Sequence, residues 1–148
     1  MSEGAHDIPR PWWPAPEGRL IGRGHPAGDF LEAYDWQVLD KAKGRYRIEA
    51  HLPAQVKNPR GQLFGGFAPT YVDLLAVYTL RSALPREVRR VSTVNLRVDY
   101  FEPVVDERFV LESRLVHSRG KTHLVEVLLK NLEDKLLVFS IVTLRERD

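Results

Sequence analysis

Asp73 is the only charged side chain in the sixteen residues from Gly65 to Leu80, a run that is otherwise small or apolar with a few hydroxyls. Taking a carboxylate out of water without partners costs several kcal/mol, and the usual response is a pKa raised toward neutrality. A general base working near neutral pH needs that property. Two quieter explanations stay open: a hydrogen bond to a neighbouring backbone group, or a position facing solvent at a subunit boundary. Asp73 is not a helix N-cap, because it lies seven residues beyond Gly66. Gly65 and Gly66 open the same run. Two glycines let a ligand approach the backbone, and the first-turn N–H groups of a helix lack intrahelical partners and carry the positive end of its dipole. Such donors hold an oxyanion. An oxyanion site together with a base or nucleophile is what acyl transfer requires.

Spacing adds a constraint. Seven helical residues place Asp73 roughly 10 Å along the axis from Gly66 and on nearly the same face, since seven steps are close to two turns. One chain does not easily bring both groups to one carbonyl carbon. Two such helices antiparallel about a two-fold axis would set the carboxylate of one against the helix start of the other, giving two equivalent shared sites. The spacing therefore predicts a homodimer.

The element that must position these groups is a long buried helix from Gly66 to Leu84, apolar nearly all round and stopped by Pro85. Arg86, Glu87, Arg89 and Arg90 then form a charged, exposed link. Ahead of the helix, strand-like runs from Phe30 to Leu39 and from Arg45 to Leu52 flank Asp40 to Gly44 and predict a β-hairpin. Pro53 and Pro59 make residues 54–63 an irregular loop. Behind the helix come four alternating strands. Val94, Leu96, Val98 and Tyr100 are expected to share one face of the first; Phe109, Leu111, Ser113 and Leu115 follow in the second. Val125, Val127 and Leu129 mark the third, and Val138, Ser140, Val142 and Leu144 the fourth. The predicted class is α+β, an antiparallel sheet laid against a single helix. Residues 1–28, with five prolines and five glycines, are expected to be an N-terminal extension outside the core that packs back on its own domain or a partner through Trp12 and Trp13; residues 29–148 form the domain.

A chain of 148 residues with 43% hydrophobic content fits one domain. A net charge of +2, from 22 basic and 20 acidic side chains, is a weak argument for a nucleic-acid or membrane partner, and neither is expected. The lack of cysteine excludes disulfides, thiolate metal sites and a Cys nucleophile. A soluble cytoplasmic protein is expected, since no signal-like or membrane-spanning segment is seen. His6, His25, His51, His117 and His123 show no metal-ligand spacing, so no metal is expected.

The string Asn58, five residues, Phe64-Gly65-Gly66 and then Asp73 resembles the helix motif of hotdog-fold acyl-CoA thioesterases of the phenylacetic-acid-pathway type. The strand VNLRVDYFEPV resembles their third-strand motif, and the turn Ser118-Arg119-Gly120-Lys121 the loop before their penultimate strand. The likeness runs from about residue 35 to residue 144. It implies a hotdog fold, a sheet wrapped around one central helix, with dimers often paired into tetramers and acyl-CoA hydrolysis without metal or cofactor. Under it Asp73 is the general base or nucleophile, Gly65 N–H the oxyanion donor with Gly66 beside it, and Asn58 a polar group near the thioester. Thr93 matches a hydroxyl that helps hold the attacking water, with Ser92 the neighbouring candidate; an ordinary strand-start hydroxyl is the alternative for both. Arg60, Arg119 and Lys121 stand in loops where they would meet CoA phosphates or remain solvated charges. One departure is plain: Phe64 stands where the family usually has His, and phenylalanine can neither move a proton nor donate a hydrogen bond. Two other functions compete, a non-catalytic acyl-CoA binding or sensing domain and a hotdog hydratase or dehydratase; the second needs a histidine base where Phe64 stands.

Overall fold

A computed structural model describes residues 15–85, 88 and 90–148. Trp12, Trp13, Arg86, Glu87 and Arg89 lie outside the described residues. In chain order the elements are α1 (Pro26–Phe30), β1 (Gln37–Ala42), β2 (Arg45–His51), α2 (Ala68–Ala83), β3 (Arg90–Tyr100), β4 (Arg108–Arg119), β5 (Thr122–Lys130) and β6 (Leu136–Arg147). The six strands form one sheet in the order β1-β2-β4-β5-β6-β3, every neighbouring pair antiparallel.

Alternation explains why the sheet buries one face against α2. Ile48, Ala50, Phe109, Leu111, Val125 and Val127 have no exposed surface, and their neighbours on the same strands lie on the opposite face, at least partly exposed except for the buried Val110. From α2 itself Tyr71, Val72, Leu75, Ala76 and Leu80 are fully buried. Each such side chain contributes about 1.5–3 kcal/mol when withdrawn from water, less for alanine. Trp36 stacks on Tyr71 at 5.5 Å, and Tyr71 meets the Phe109 ring edge at 5.3 Å. The Tyr71 hydroxyl donates to His51 O at 2.8 Å, and burial raises its pKa, so it stays a neutral donor. The small hydroxyls inside the core are satisfied in the same way: Thr79 Oγ1 donates to Leu75 O at 2.8 Å and lies 2.6 Å from Ser113 Oγ, while Ser140 Oγ donates to Val127 O.

Three sequence expectations are corrected. The segment from Phe30 to Trp36 is not strand: α1 ends at Phe30, Glu32 takes a left-handed φ of 55°, and a 3-10 turn covers Ala33–Asp35 before β1 begins at Gln37. A left-handed residue cannot continue an extended run. The described part of the N-terminal segment, residues 15–28, is not outside the core. Leu20 is 6% exposed and Ile21 fully buried, Val38 N–H donates to Gly18 O, and Arg19 donates to the carbonyls of Asp35 and Trp36. Proline and glycine density opposes regular elements but does not prevent burial. Third, Val94 does not share a face with Leu96, Val98 and Tyr100. The β3–β6 register shifts between Thr93 and Asn95, where Val94 bulges out and is 55% exposed.

Candidate active site

The start of α2 is held by its lead-in loop. Leu63 N–H donates to Val104 O, Phe64 N–H to Val56 O and Phe67 N–H to Phe64 O. Gly65–Phe67 form a 3-10 turn that runs into the helix, which takes Pro69 in its first turn. A side chain at Gly66 would begin 2.9 Å from the Phe64 ring, so the ring folds over the glycine backbone. Phe64 is 51% exposed and touches Phe67 edge-on at 5.5 Å. The Tyr100 hydroxyl donates to Gly65 O and ties β3 to the helix start.

Two turns along α2, Asp73 is only partly exposed and lines a cavity of about 390 Å³. The carboxylate is thus less enclosed than the sequence expectation of a buried group, because the chain's own sheet leaves this side of α2 partly uncovered. Thr93 Oγ1 donates to Asp73 Oδ1 at 2.5 Å. The bulge at Val94 makes this possible. Thr93 and Leu96 stand three positions apart, so in a regular strand they would point to opposite faces; the extra residue turns both toward α2. Ser92 goes the other way and receives a hydrogen bond from Arg147 Nε, so of the two hydroxyl candidates only Thr93 meets the carboxylate.

Beyond Asp73 the cavity is apolar, with Leu74 and Val77 of α2 facing Leu96 of β3. Tyr78 and Arg81 line it further along α2, and burial pushes the tyrosine pKa up and the arginine pKa down. His25 and Ala27 supply its outer wall. His25 Nδ1 accepts from Gly28 N–H at 3.0 Å, and burial lowers the pKa of the ring below 6.5.

The remaining predicted residues are not gathered here within one protomer. Asn58 organises its own loop: its Oδ1 accepts from Arg60 N–H at 2.9 Å and Gln62 N–H at 3.1 Å, an Asx turn. Arg60 is exposed on that loop. Ser118 and Arg119 end β4, and Gly120 with Lys121 make the turn to β5, past the level of the C-terminal end of α2; Lys121 pairs with Asp148 at 2.7 Å. His25, Tyr78, Arg81, Leu96 and Tyr100 were not singled out as site residues from sequence. Only Leu96 and Tyr100 carried a signal, their place in the inward alternation of β3. Among the described residues no group of three or more His, Asp or Glu side chains could hold a metal ion, and no helix is long and apolar enough to cross a membrane.

One long helix against a six-stranded antiparallel sheet is the hotdog fold, and the solved structures it resembles share it. The chain belongs to the thioesterase superfamily, whose family model matches residues 60–138. It is 24% identical over 113 residues to a Saccharolobus solfataricus protein carrying a provisional esterase name, covering 74% of this chain and 77% of that one. A thioesterase from Haemophilus influenzae superposes with a TM-score of 0.72 at 14% identity, covering 82% of each chain. A hypothetical thioesterase from Streptococcus pneumoniae, solved with coenzyme A, gives 0.66 at 16% identity over 77% of this chain and 89% of its own. The chemistry of the family is thioester hydrolysis.

Proposed function

We propose that this chain hydrolyses acyl-CoA thioesters, with Asp73 as general base and the backbone N–H of Gly65 as oxyanion donor, in a site shared by two protomers. The observation that carries the reading is the Thr93–Asp73 hydrogen bond at the mouth of an apolar cavity. One carboxylate oxygen is held by Thr93, leaving Oδ2 to accept a proton from water. The Thr93 oxygen, having donated its own proton, can accept from that water and hold it. Asp73 takes one proton as the water oxygen adds to the thioester carbonyl carbon, and the negative charge on the carbonyl oxygen meets the helix-start N–H groups. Collapse breaks the C–S bond, and the leaving thiolate takes the proton back from Asp73. Direct attack by Asp73 on the carbonyl is the covalent variant of the same scheme.

Two features support sharing between protomers. Asp73 and Gly66 lie roughly 10 Å apart along the helix. β3 is an eleven-residue edge strand, and Val94, Tyr100 and Phe101 on or beside it are 55%, 52% and 60% exposed. A long edge strand with exposed apolar groups is a template for pairing with another chain. Pairing β3 with the same strand of a second copy would cover it next to the site. The coenzyme A bound in the pneumococcal structure supports CoA as the thiol, with Arg60, Arg119 and Lys121 as candidate phosphate contacts.

The test is thiol release from acyl-CoA by the purified protein and its Asp73→Asn variant, with mass measured by light scattering. Asp73→Asn should lower kcat by about 10²–10⁴-fold without changing the mass. Full activity in the variant, or an active monomer, would end the scheme. Phe64 favours one second reading, a domain that binds acyl-CoA without cleaving it; thermal stabilisation by acyl-CoA with no thiol released by the wild type distinguishes it.

A further inference from the structure

We propose that the N-terminal segment around α1 is the specificity wall of the Asp73 cavity. Ala27 and His25 set the acyl group it admits, and the site takes short or medium acyl thioesters rather than long-chain ones. The proposal rests on the thioesterase reading and adds to it the substrate class and the residues that define it.

The cavity has three sides. α2 supplies the floor, Leu96 the second side, and His25 with Ala27 the third. Its length is set along α2. From Asp73, where the thioester carbon must sit, to Arg81 is eight helical residues, or about 12 Å. Tyr78 and Arg81 are the last lining residues along α2, and an alkyl chain that ran further would meet a guanidinium instead of an apolar wall. Between the two ends Leu74, Val77 and Leu96 suit a hydrocarbon or aryl group. Its width is set at Ala27, whose side chain is a single methyl, so each carbon added there takes space from the ligand.

The wall is fixed rather than draped. Gly28 is buried, and a methyl at its Cβ position would lie 2.9 Å from Ile21 Cδ1, which belongs to the fully buried core. A larger residue there would have to push Ile21 Cδ1 aside within the core. On one side Gly28 N–H is capped by His25 Nδ1 at 3.0 Å. On the other, Phe30 O accepts from Gln55 Nε2 at 2.8 Å and the Phe30 ring packs on Phe67 at 5.3 Å. The segment is therefore clamped to the core at Ile21 and to the start of α2 at Phe67, with Ala27 between the clamps. Such a wall can discriminate by size because it does not give way.

The experiment compares thiol release from butyryl-, octanoyl- and palmitoyl-CoA by the full chain and by Ala27→Leu and Ala27→Gly. Wild type should favour butyryl- or octanoyl-CoA over palmitoyl-CoA. Ala27→Leu should lower kcat/KM for octanoyl relative to butyryl by about 10-fold, the scale of a methylene-sized mismatch in an apolar pocket. Ala27→Gly should shift the profile the other way. Equal or best rates with palmitoyl-CoA, or Ala27 variants whose profiles run parallel to wild type, overturn the proposal while leaving thioester hydrolysis standing. Thermal stabilisation by the same three thioesters reads the wall independently of catalysis. If no thioester is cleaved, the hydrolytic reading fails, and the wall stands or falls on whether Ala27→Leu selectively removes stabilisation by octanoyl-CoA.

Discussion

Thr93 Oγ1 reaches Asp73 Oδ1 at 2.5 Å because Val94, the next residue, bulges out of β3. The bulge converts an edge strand into a holder for the site, since it alone puts Thr93 on the same face as Leu96. Removing the hydroxyl with Thr93→Val should slow thiol release. A hydrogen bond to a charged group contributes ~1.5–3 kcal/mol, which expressed in the transition state is roughly 10- to 150-fold in kcat. Deleting Val94 should do less harm than that, because Thr93 then stands two positions from Leu96 and the regular strand keeps both on the α2 face. A Thr93→Val protein with the wild-type kcat would show that the hydroxyl plays no part in the chemistry.

Phe64 and Gly66 are coupled through a close approach. A Cβ at Gly66 would lie 2.9 Å from Phe64 Cε2 and 3.3 Å from Cδ2. The ring is half exposed and can swing aside, losing its edge contact with Phe67. That contact is of the kind that contributes about 0.5–1.5 kcal/mol. Gly66→Ala should therefore destabilise by an amount of that order in the wild type and by much less in a Phe64→Ala background. A double-mutant cycle by urea unfolding measures the difference, and additive effects would refute the coupling.

The same positions show what was legible in the sequence. The α+β architecture and the inward faces of β2, β4, β5 and β6 followed from alternation, because those strands are regular and one of their faces is buried. Val94 was misplaced because a bulge adds one residue without a sequence signature: an apolar residue in step with Leu96 looks like a core residue. Residues 30–36 looked extended because Leu31, Ala33 and Trp36 are all buried, yet they reach the core through a left-handed Glu32 and a 3-10 turn. Asp73 stood out as a lone charge, and resemblance rather than spacing suggested Thr93. His25 and Ala27 carried no signal, since their place beside Asp73 depends on Gly28 packing against Ile21.

Inside the core, Thr79 and Ser113 form a hydroxyl pair at 2.6 Å between α2 and β4, Thr79 fully buried and Ser113 4% exposed. Removing one hydroxyl leaves the other with fewer partners in a dry site. Thr79→Val, whose loss also frees Leu75 O, should cost about 1–3 kcal/mol. Adding Ser113→Ala to it should cost little more, because the polar group left behind by the first change is then gone. Chemical denaturation of the two single variants and the double variant checks this, and a fully additive double variant would argue that the two hydroxyls do not depend on each other.

His25 gives the fold a predicted acid sensitivity with a definite sign. Its folded pKa is lowered from 6.5, chiefly by burial, against smaller raising effects from its own backbone hydrogen bond and from Asp29. Between the folded value and 6.5 the unfolded chain therefore binds more protons at this position than the native chain does. Stability from this group rises with pH through that window, is fully present above it, and is lost as pH falls below 6.5. Protonation also removes the Nδ1 lone pair that caps Gly28 N–H. Asparagine retains an N-cap acceptor but does not titrate. The melting temperature of His25→Asn should thus fall less steeply than that of the wild type on acidification from pH 7 through this window, measured by calorimetry at fixed ionic strength. Parallel curves for the two proteins would show that the imidazole is not held neutral in the wall of the cavity.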